Sequence, residues 1–223
     1  MTDLAAAPAL VHTFQPPRSP QPGKAPALVL LHGVGGNETS LAGLAARLGG
    51  RFALVHVRAP LALASGGYGF FHVRFTPEPV IVPQEAEASR AALIAFLPEL
   101  VRRYDLDPAR VFLLGFSQGA IIGASVALSR PDLVAGLALL SGRILPEAQP
   151  HFRSREDLAA LNVFVGHGVH DGKLGLHHAR ASRALLGDLG VDLTYREYDL
   201  GHEIGAEEIA DLNAWLGDAA RLP

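Results

Sequence analysis

The chain has no cysteine among its 223 residues. Disulfides and thiolate metal sites are therefore excluded, and the absence fits a reducing compartment. Lysine is nearly missing too, occurring only at Lys24 and Lys173, so arginine carries the basic charge. This is a bias of composition rather than a sign of chemistry. No block of like charge is present, and 19 basic residues face 22 acidic ones for a net charge of -3. That mixed balance argues against nucleic acid or an anionic membrane as a partner. No apolar run is long enough to span a bilayer, because Gly, Ser or Arg interrupts the longest ones. The N-terminal MTDLAAAPALVH carries an acidic residue, no basic leader and a proline inside its apolar run, unlike a signal peptide. The expectation is one cytoplasmic domain, residues 1–223, without stable membrane association and large enough to bury its own core.

What is present is alternation. A first short strand is expected at about 10–14, followed by the proline-rich loop QPPRSPQPGKAP. ALVLLH (27–32), FALVHV (52–57), RVFLLGF (110–116), VAGLALLS (134–141), LNVFVGH (161–167) and VDLTYREYD (191–199) read as strands. Between them ETSLAGLAARLG (38–49), with Asn37 as N-cap, and residues 84–104, 118–129, 176–189 and 205–216 read as helices. Pro98 falls inside the second of these and should kink it by removing one backbone bond. Continuous apolar strands separated by helices imply an α/β fold with a mostly parallel sheet covered on both faces. Ligands of such sheets bind outside the carboxyl ends of the strands.

Ser117 stands at one such end. Gly115-Phe116-Ser117-Gln118-Gly119 matches the G-x-S-x-G elbow, a tight strand-to-helix turn that exposes a serine nucleophile at a helix N-terminus. The two glycines should be needed because residues two before and two after the serine approach each other. A serine needs a base, and the base an orienting carboxylate, in the chain order Ser, acid, His. Asp171 in VFVGHGVHDGKLG and His202 in YDLGHEI follow later strands in that order. Asp199, three residues before His202, is the reserve acid, and Glu203 should point away. The oxyanion donors should be the backbone N–H groups of Gln118 and of Val34, the latter in the glycine-rich LLHGVGGNE (30–38). His32 there should brace the loop. The loop lacks the spacing of a nucleotide-binding motif. His167, His170, His177 and His178 lie near one another in sequence, yet no carboxylate other than Asp171 joins them at ligand spacing, so no metal is expected.

The blocks LLHGVGGNE, VFLLGFSQGA, LALLSGRILP, VFVGHGVHD and GHEI, in that order over residues 27–216, resemble the phospholipase/carboxylesterase family, which includes the acyl-protein thioesterase-like enzymes. The resemblance implies an α/β-hydrolase fold with little or no cap domain, and hydrolysis of carboxylic esters or thioesters without a cofactor. It implies Ser117, Asp171 and His202 as the triad, with Val34 and Gln118 as oxyanion donors. Two departures stand out: Ala120-Ile121 after the elbow in place of Gly-Ala, and DGKLG where a valine–proline pair is common after the acid. The aromatic segment SGGYGFFHVRFTPE (65–78) either walls the substrate through Tyr68, Phe70, Phe71 and Phe75 or forms a loop packed on its own aromatics, and GRILP offers a further wall through Ile144 and Leu145. The expected activity is hydrolysis of small esters through an acyl-enzyme on Ser117, with a small-molecule ester as partner and homodimerisation left open. Acyl thioesterase or lysophospholipase activity is the alternative, and a non-catalytic binding module on the same fold is the reading of a different class.

Overall fold

A computed structural model describes residues 10–76 and 78–221, apart from the side chains of Phe75 and Glu78. The chain begins with β1 (His12–Gln15), β2 (Ala27–Leu31), a short α1 (Ala42–Arg47) and β3 (Ala53–Val57). Two small hairpins follow, β4 (Leu61–Ala62) with β5 (Tyr68–Gly69), and β6 (Val73–Thr76) with β7 (Glu78–Ile81). After α2 (Pro83–Arg103), strand and helix alternate as β8 (Val111–Phe116), α3 (Gln118–Ser129) and β9 (Gly136–Leu140). A 3₁₀ turn at Pro146–His151 and the single-turn α4 (Arg155–Leu158) lead to β10 (Asn162–Gly168), α5 (Leu176–Leu189), β11 (Asp192–Tyr198) and α6 (Ala206–Ala219).

Seven strands form one sheet in the order β1-β3-β2-β8-β9-β10-β11. Only the edge pair β1–β3 is antiparallel; the other five pairings are parallel. Every residue of β2, β3 and β9 is buried, as continuous apolar strands require when both faces are covered. Alternate residues serve opposite faces. Val29, Leu31 and Leu113 join Leu93, Phe96 and Leu97 of α2 and Ile122 of α3. Leu28, Leu30 and Phe112 join Leu44 of α1 and Leu212 and Trp215 of α6. All twelve residues of α3 are buried, which matches its apolar character on every side. Chain order reverses at β2: it leads outward to β3 on one side, while β8 begins the run on the other. That reversal opens a crevice at the carboxyl ends of β2 and β8.

The helix expected at 38–49 is shorter. Asn37 does not cap it; Asn37 Oδ1 accepts from the Thr39 N–H at 2.8 Å and from its hydroxyl at 2.7 Å. This side-chain turn occupies the first residues, and the helix starts only after Leu41. α2 begins at Pro83, where a missing N–H is harmless, and continues through Pro98. Both hairpins went unforeseen, since Gly and Pro punctuate 61–81 so heavily that it reads as loop. No helix among the described residues is long and apolar enough to cross a membrane.

One carboxyl, among the described residues, is buried with little to offset it. Glu208, in the first turn of α6, is 1% exposed, and its Oε1 has no hydrogen-bond partner among the described residues. Gly166 makes room for it: a Cβ there would lie 2.2 Å from Oε1. Burial pushes the Glu208 carboxyl up from near 4.5 to about 7, against the lowering effect of a backbone hydrogen bond with Gly205. The folded state therefore holds a proton that the unfolded chain releases, and stability falls as pH rises from about 4.5 to about 7. The loss should be on the order of 3 kcal/mol. Glu208→Gln should remove most of this slope, raising Tm above wild type at pH 8 while leaving it close to wild type at pH 5. Parallel Tm-versus-pH curves for the two proteins would contradict this account.

Candidate active site

Strand β8 ends at Phe116 and helix α3 starts at Gln118, so Ser117 alone makes the turn. Its φ of 54° and ψ of -118° are conformations that a residue with a Cβ adopts only under strain. The glycines on either side clear space, but against different neighbours. A Cβ on Gly115 would sit 2.3 Å from the Ala120 nitrogen and 2.4 Å from the Gly119 carbonyl carbon, so Gly115 admits the first turn of α3. A Cβ on Gly119 would sit 2.1 Å from the Leu31 carbonyl oxygen, so Gly119 admits strand β2. The expected mutual approach therefore accounts for Gly115 only. The Ser117 N–H donates to the Leu140 carbonyl at 2.9 Å, which ties the turn to the end of β9.

A continuous chain of hydrogen bonds starts at this serine. Ser117 Oγ lies 2.9 Å from His202 Nε2, and His202 Nδ1 lies 2.7 Å from Asp171 Oδ2. With Nδ1–H donating to the carboxylate, Nε2 is left to accept the serine proton. The second carboxylate oxygen of Asp171 accepts the N–H groups of Lys173 and Leu174, each at 2.9 Å. Burial pushes the Asp171 carboxyl up, but the His202 hydrogen bond and the Leu174 and Lys173 amides outweigh it and hold it below its ordinary value. It is therefore an anion in a buried site. Asp199 turns outward instead, its side chain 93% exposed and bonded to His170 at 2.7 Å. Glu203 is exposed.

The neighbouring histidines have separate tasks. His167, fully buried, donates from Nε2 to the Leu174 carbonyl at 2.7 Å and lies 3.3 Å from Asp171 Oδ2, bracing the acid loop. His177 and His178 lie with ring centroids 4.1 Å apart. His32 donates from Nδ1 to the Gly33 carbonyl at 2.7 Å and accepts the Ala59 N–H on Nε2 at 3.0 Å. Burial pushes its pKa down, so it stays a neutral brace of the glycine-rich loop.

That loop carries Val34. Gly33 packs on the Ser117 turn, where a Cβ would lie 3.4 Å from the Ser117 Cβ. Gly35 has φ of 81° and donates to the Tyr68 carbonyl at 2.9 Å, while Tyr68 N–H donates to the Gly36 carbonyl at 2.8 Å. Arg58 locks the same region through two hydrogen bonds to Glu38, of 2.6 and 2.5 Å, and sits 4.6 Å over the Tyr68 ring. The Val34 N–H enters no backbone hydrogen bond among the described residues. Gln118 is the first residue of α3, where an N–H has no intrahelical acceptor. Both amides thus remain available beside Ser117, as an oxyanion site requires.

A narrow cleft opens onto Ser117. Phe71, Val73, Ile81, Ile121 and Leu174 wall it, with Arg143 at its side. Of the expected wall residues whose side chains are described, only Phe71 lines it. Tyr68 clasps the glycine-rich loop, and Phe70 is buried 5.7 Å from the His32 ring. Phe75 lies in β6, but its side chain falls outside the described residues. Ile144 and Leu145 are buried in the main core, while Arg143 beside them faces the cleft and donates to the Pro79 carbonyl at 3.3 Å. In GRILP the apolar residues seek the core and the charged one takes the solvent-facing position. Val73 and Ile81 were missed because the β6–β7 hairpin was missed.

Known proteins resemble this chain over most of its length. Residues 17–218 match the family described as Phospholipase/Carboxylesterase. MhqD of Bacillus subtilis (strain 168) is 29% identical over 194 residues, which are 86% of this chain and 92% of that protein. The carboxylesterase of Bacillus cereus superposes with a TM-score of 0.80 at 25% identity, covering 94% of each chain. A carboxylesterase from Mesorhizobium loti gives a TM-score of 0.76 at 30% identity, covering 86% of this chain and 88% of the other. With its crevice at the β2–β8 reversal, its sheet covered on both faces and a family match over nearly its whole length, the chain belongs to the phospholipase/carboxylesterase family of α/β-hydrolases.

Proposed function

We propose that this protein is a serine esterase that hydrolyses small carboxylic esters through an acyl-enzyme on Ser117. The observation that carries the reading is the unbroken Ser117–His202–Asp171 chain of 2.9 and 2.7 Å, contributed by the ends of three different strands. His202 removes the serine proton as Oγ attacks the ester carbonyl. The resulting oxyanion is met by the Val34 and Gln118 amides, with the α3 N-terminus favouring the same charge. His202 then passes its proton to the departing alcohol. A water molecule activated by the same imidazole releases the acid and restores the serine. Asp171 holds the imidazole in the required tautomer and stabilises its charged form.

Thioester hydrolysis uses the same acyl-enzyme chemistry and remains compatible with the site. The narrow cleft favours short acyl groups, which weighs against a lysophospholipase. A complete triad weighs against a purely binding role. Covalent labelling of Ser117 by a fluorophosphonate probe separates enzyme from binding module, since the probe needs an activated serine.

Ser117→Ala should leave the fold intact and lower kcat by up to about a millionfold; near-normal hydrolysis by this variant would place the nucleophile elsewhere. Asp171→Asn should lower kcat by on the order of 10⁴ through the wrong imidazole tautomer, whereas Asp199→Asn, altering an exposed pair with His170, should change it little. The reverse ranking would reassign the acid. On acyl esters of graded length kcat/KM should peak at a short chain, and Phe71→Ala should move the optimum to longer ones. A long-chain groove would instead give a steady rise, each added methylene contributing about 0.8 kcal/mol.

A further inference from the structure

Gln118 has a side chain that the mechanism above does not use. It is 3% exposed, and both ends of its amide are engaged by one stretch of chain. Oε1 accepts the Phe70 N–H at 2.7 Å, and Nε2 donates to the Phe71 carbonyl at 2.7 Å. These partners fix which end of the amide is oxygen, because an N–H needs an acceptor and a carbonyl a donor. Gly69 allows the approach, since a Cβ there would already stand 3.2 Å from Oε1. Phe70 and Phe71 are each 1% exposed, so solvent offers their backbone no ready substitute for these bonds. A third tie comes from α2, where Ser89 Oγ donates to the Phe70 carbonyl at 2.5 Å. Phe71 itself walls the cleft on Ser117. One residue therefore links a candidate oxyanion amide, through its own side chain, to the wall that limits the acyl group.

We propose that Gln118 is a positioning residue that sets acyl-chain selectivity, its side-chain amide holding the Phe70–Phe71 backbone so that Phe71 closes the cleft beside the nucleophile. This rests on the reading of Ser117 as an esterase nucleophile. The tie begins next to Ser117 and ends at the cleft wall, and it touches neither Asp171 nor His202. Releasing it enlarges the acyl space without breaking the hydrogen-bonded chain.

The test measures kcat and KM on p-nitrophenyl esters of graded acyl length for wild type, Gln118→Met, Phe71→Ala and the double variant. Methionine nearly matches glutamine in length and lacks the N–H donors. Gln118→Met should shift the optimum toward longer acyl chains and lower kcat/KM on the shortest ester about tenfold. In the Phe71→Ala background it should produce no further shift, because the wall it holds is gone. An equal loss at every chain length, or a shift that adds to that of Phe71→Ala, would overturn the proposal. Should Gln118→Met fail to fold, Gln118→Leu enters the same series. It has neither the acceptor for the Phe70 N–H nor the donor for the Phe71 carbonyl; it must shift the optimum in the same direction, and an unmoved optimum rejects the proposal. Ser117→Ala distinguishes the two readings. Residual hydrolysis there sinks the nucleophile assignment, whereas an inactive Ser117→Ala together with an unmoved optimum in the Gln118 variants sinks only this one.

Discussion

The constraint on which the rest depends is a single backbone conformation, the positive φ of Ser117 between a buried strand and a buried helix. A serine adopts it only when its surroundings leave no alternative. Those surroundings extend well beyond the turn. Gly115 must lack a Cβ for α3 to start where it does, and Gly119 must lack one for α3 to lie against Leu31 of β2. The Leu140 carbonyl holds the Ser117 N–H from β9. Three neighbouring strands and one fully buried helix thus over-determine one residue. Because β2 also leads into the glycine-rich loop, the contact that permits the turn also brings Val34 alongside it.

Electrostatics follow from that packing. A carboxylate buried as deeply as Asp171 favours its neutral form unless donors surround it. Two backbone amides and the His202 N–H are therefore conditions for its charge as much as consequences of it. His167 adds a brace to the same loop through the Leu174 carbonyl. Glu208 is the contrasting case in the same sheet, a buried carboxyl with only a backbone bond near Gly205 to oppose burial, and it moves the other way. The two acids differ in their donors more than in their burial, so the fold spends hydrogen bonds where it keeps a charge.

Much of this was legible in the sequence, for reasons that also mark where legibility ends. Buried parallel strands are continuous apolar runs, and their positions were read to within a residue or two. α3 and α5 were read at both ends because periodicity and the elbow fix them. The order Ser117, Asp171, His202 was readable because it depends on which strand ends carry which residue types. Asn37 misled because a side-chain turn and a helix cap use the same residue. The wall residues were less accessible, since they depend on register within short hairpins. Ile144 and Leu145 look like a substrate wall and lie in the core, while Arg143 looks like a surface residue and flanks the cleft. Hydrophobicity alone does not say which of two adjacent apolar faces meets the substrate.

That contrast follows the way the molecule divides its tasks. The proposed chemical groups sit on strand ends and a helix start, where displacement would disturb the sheet itself. The cleft walls come largely from the β6–β7 hairpin and the segment before it, an excursion between β3 and α2 outside the main sheet. On the proposed reading, the reaction and the substrate range therefore answer largely to different parts of the chain. The separation is incomplete where Tyr68 of the same excursion clasps the glycine-rich loop, and again at Gln118. Gln118 belongs to the Ser117 turn by its backbone and to the wall by its side chain. On the proposed reading a substitution in the hairpin acts on substrate fit, whereas one at Gln118 acts at the boundary, where the proposed oxyanion amide and the hold on the cleft wall belong to the same residue.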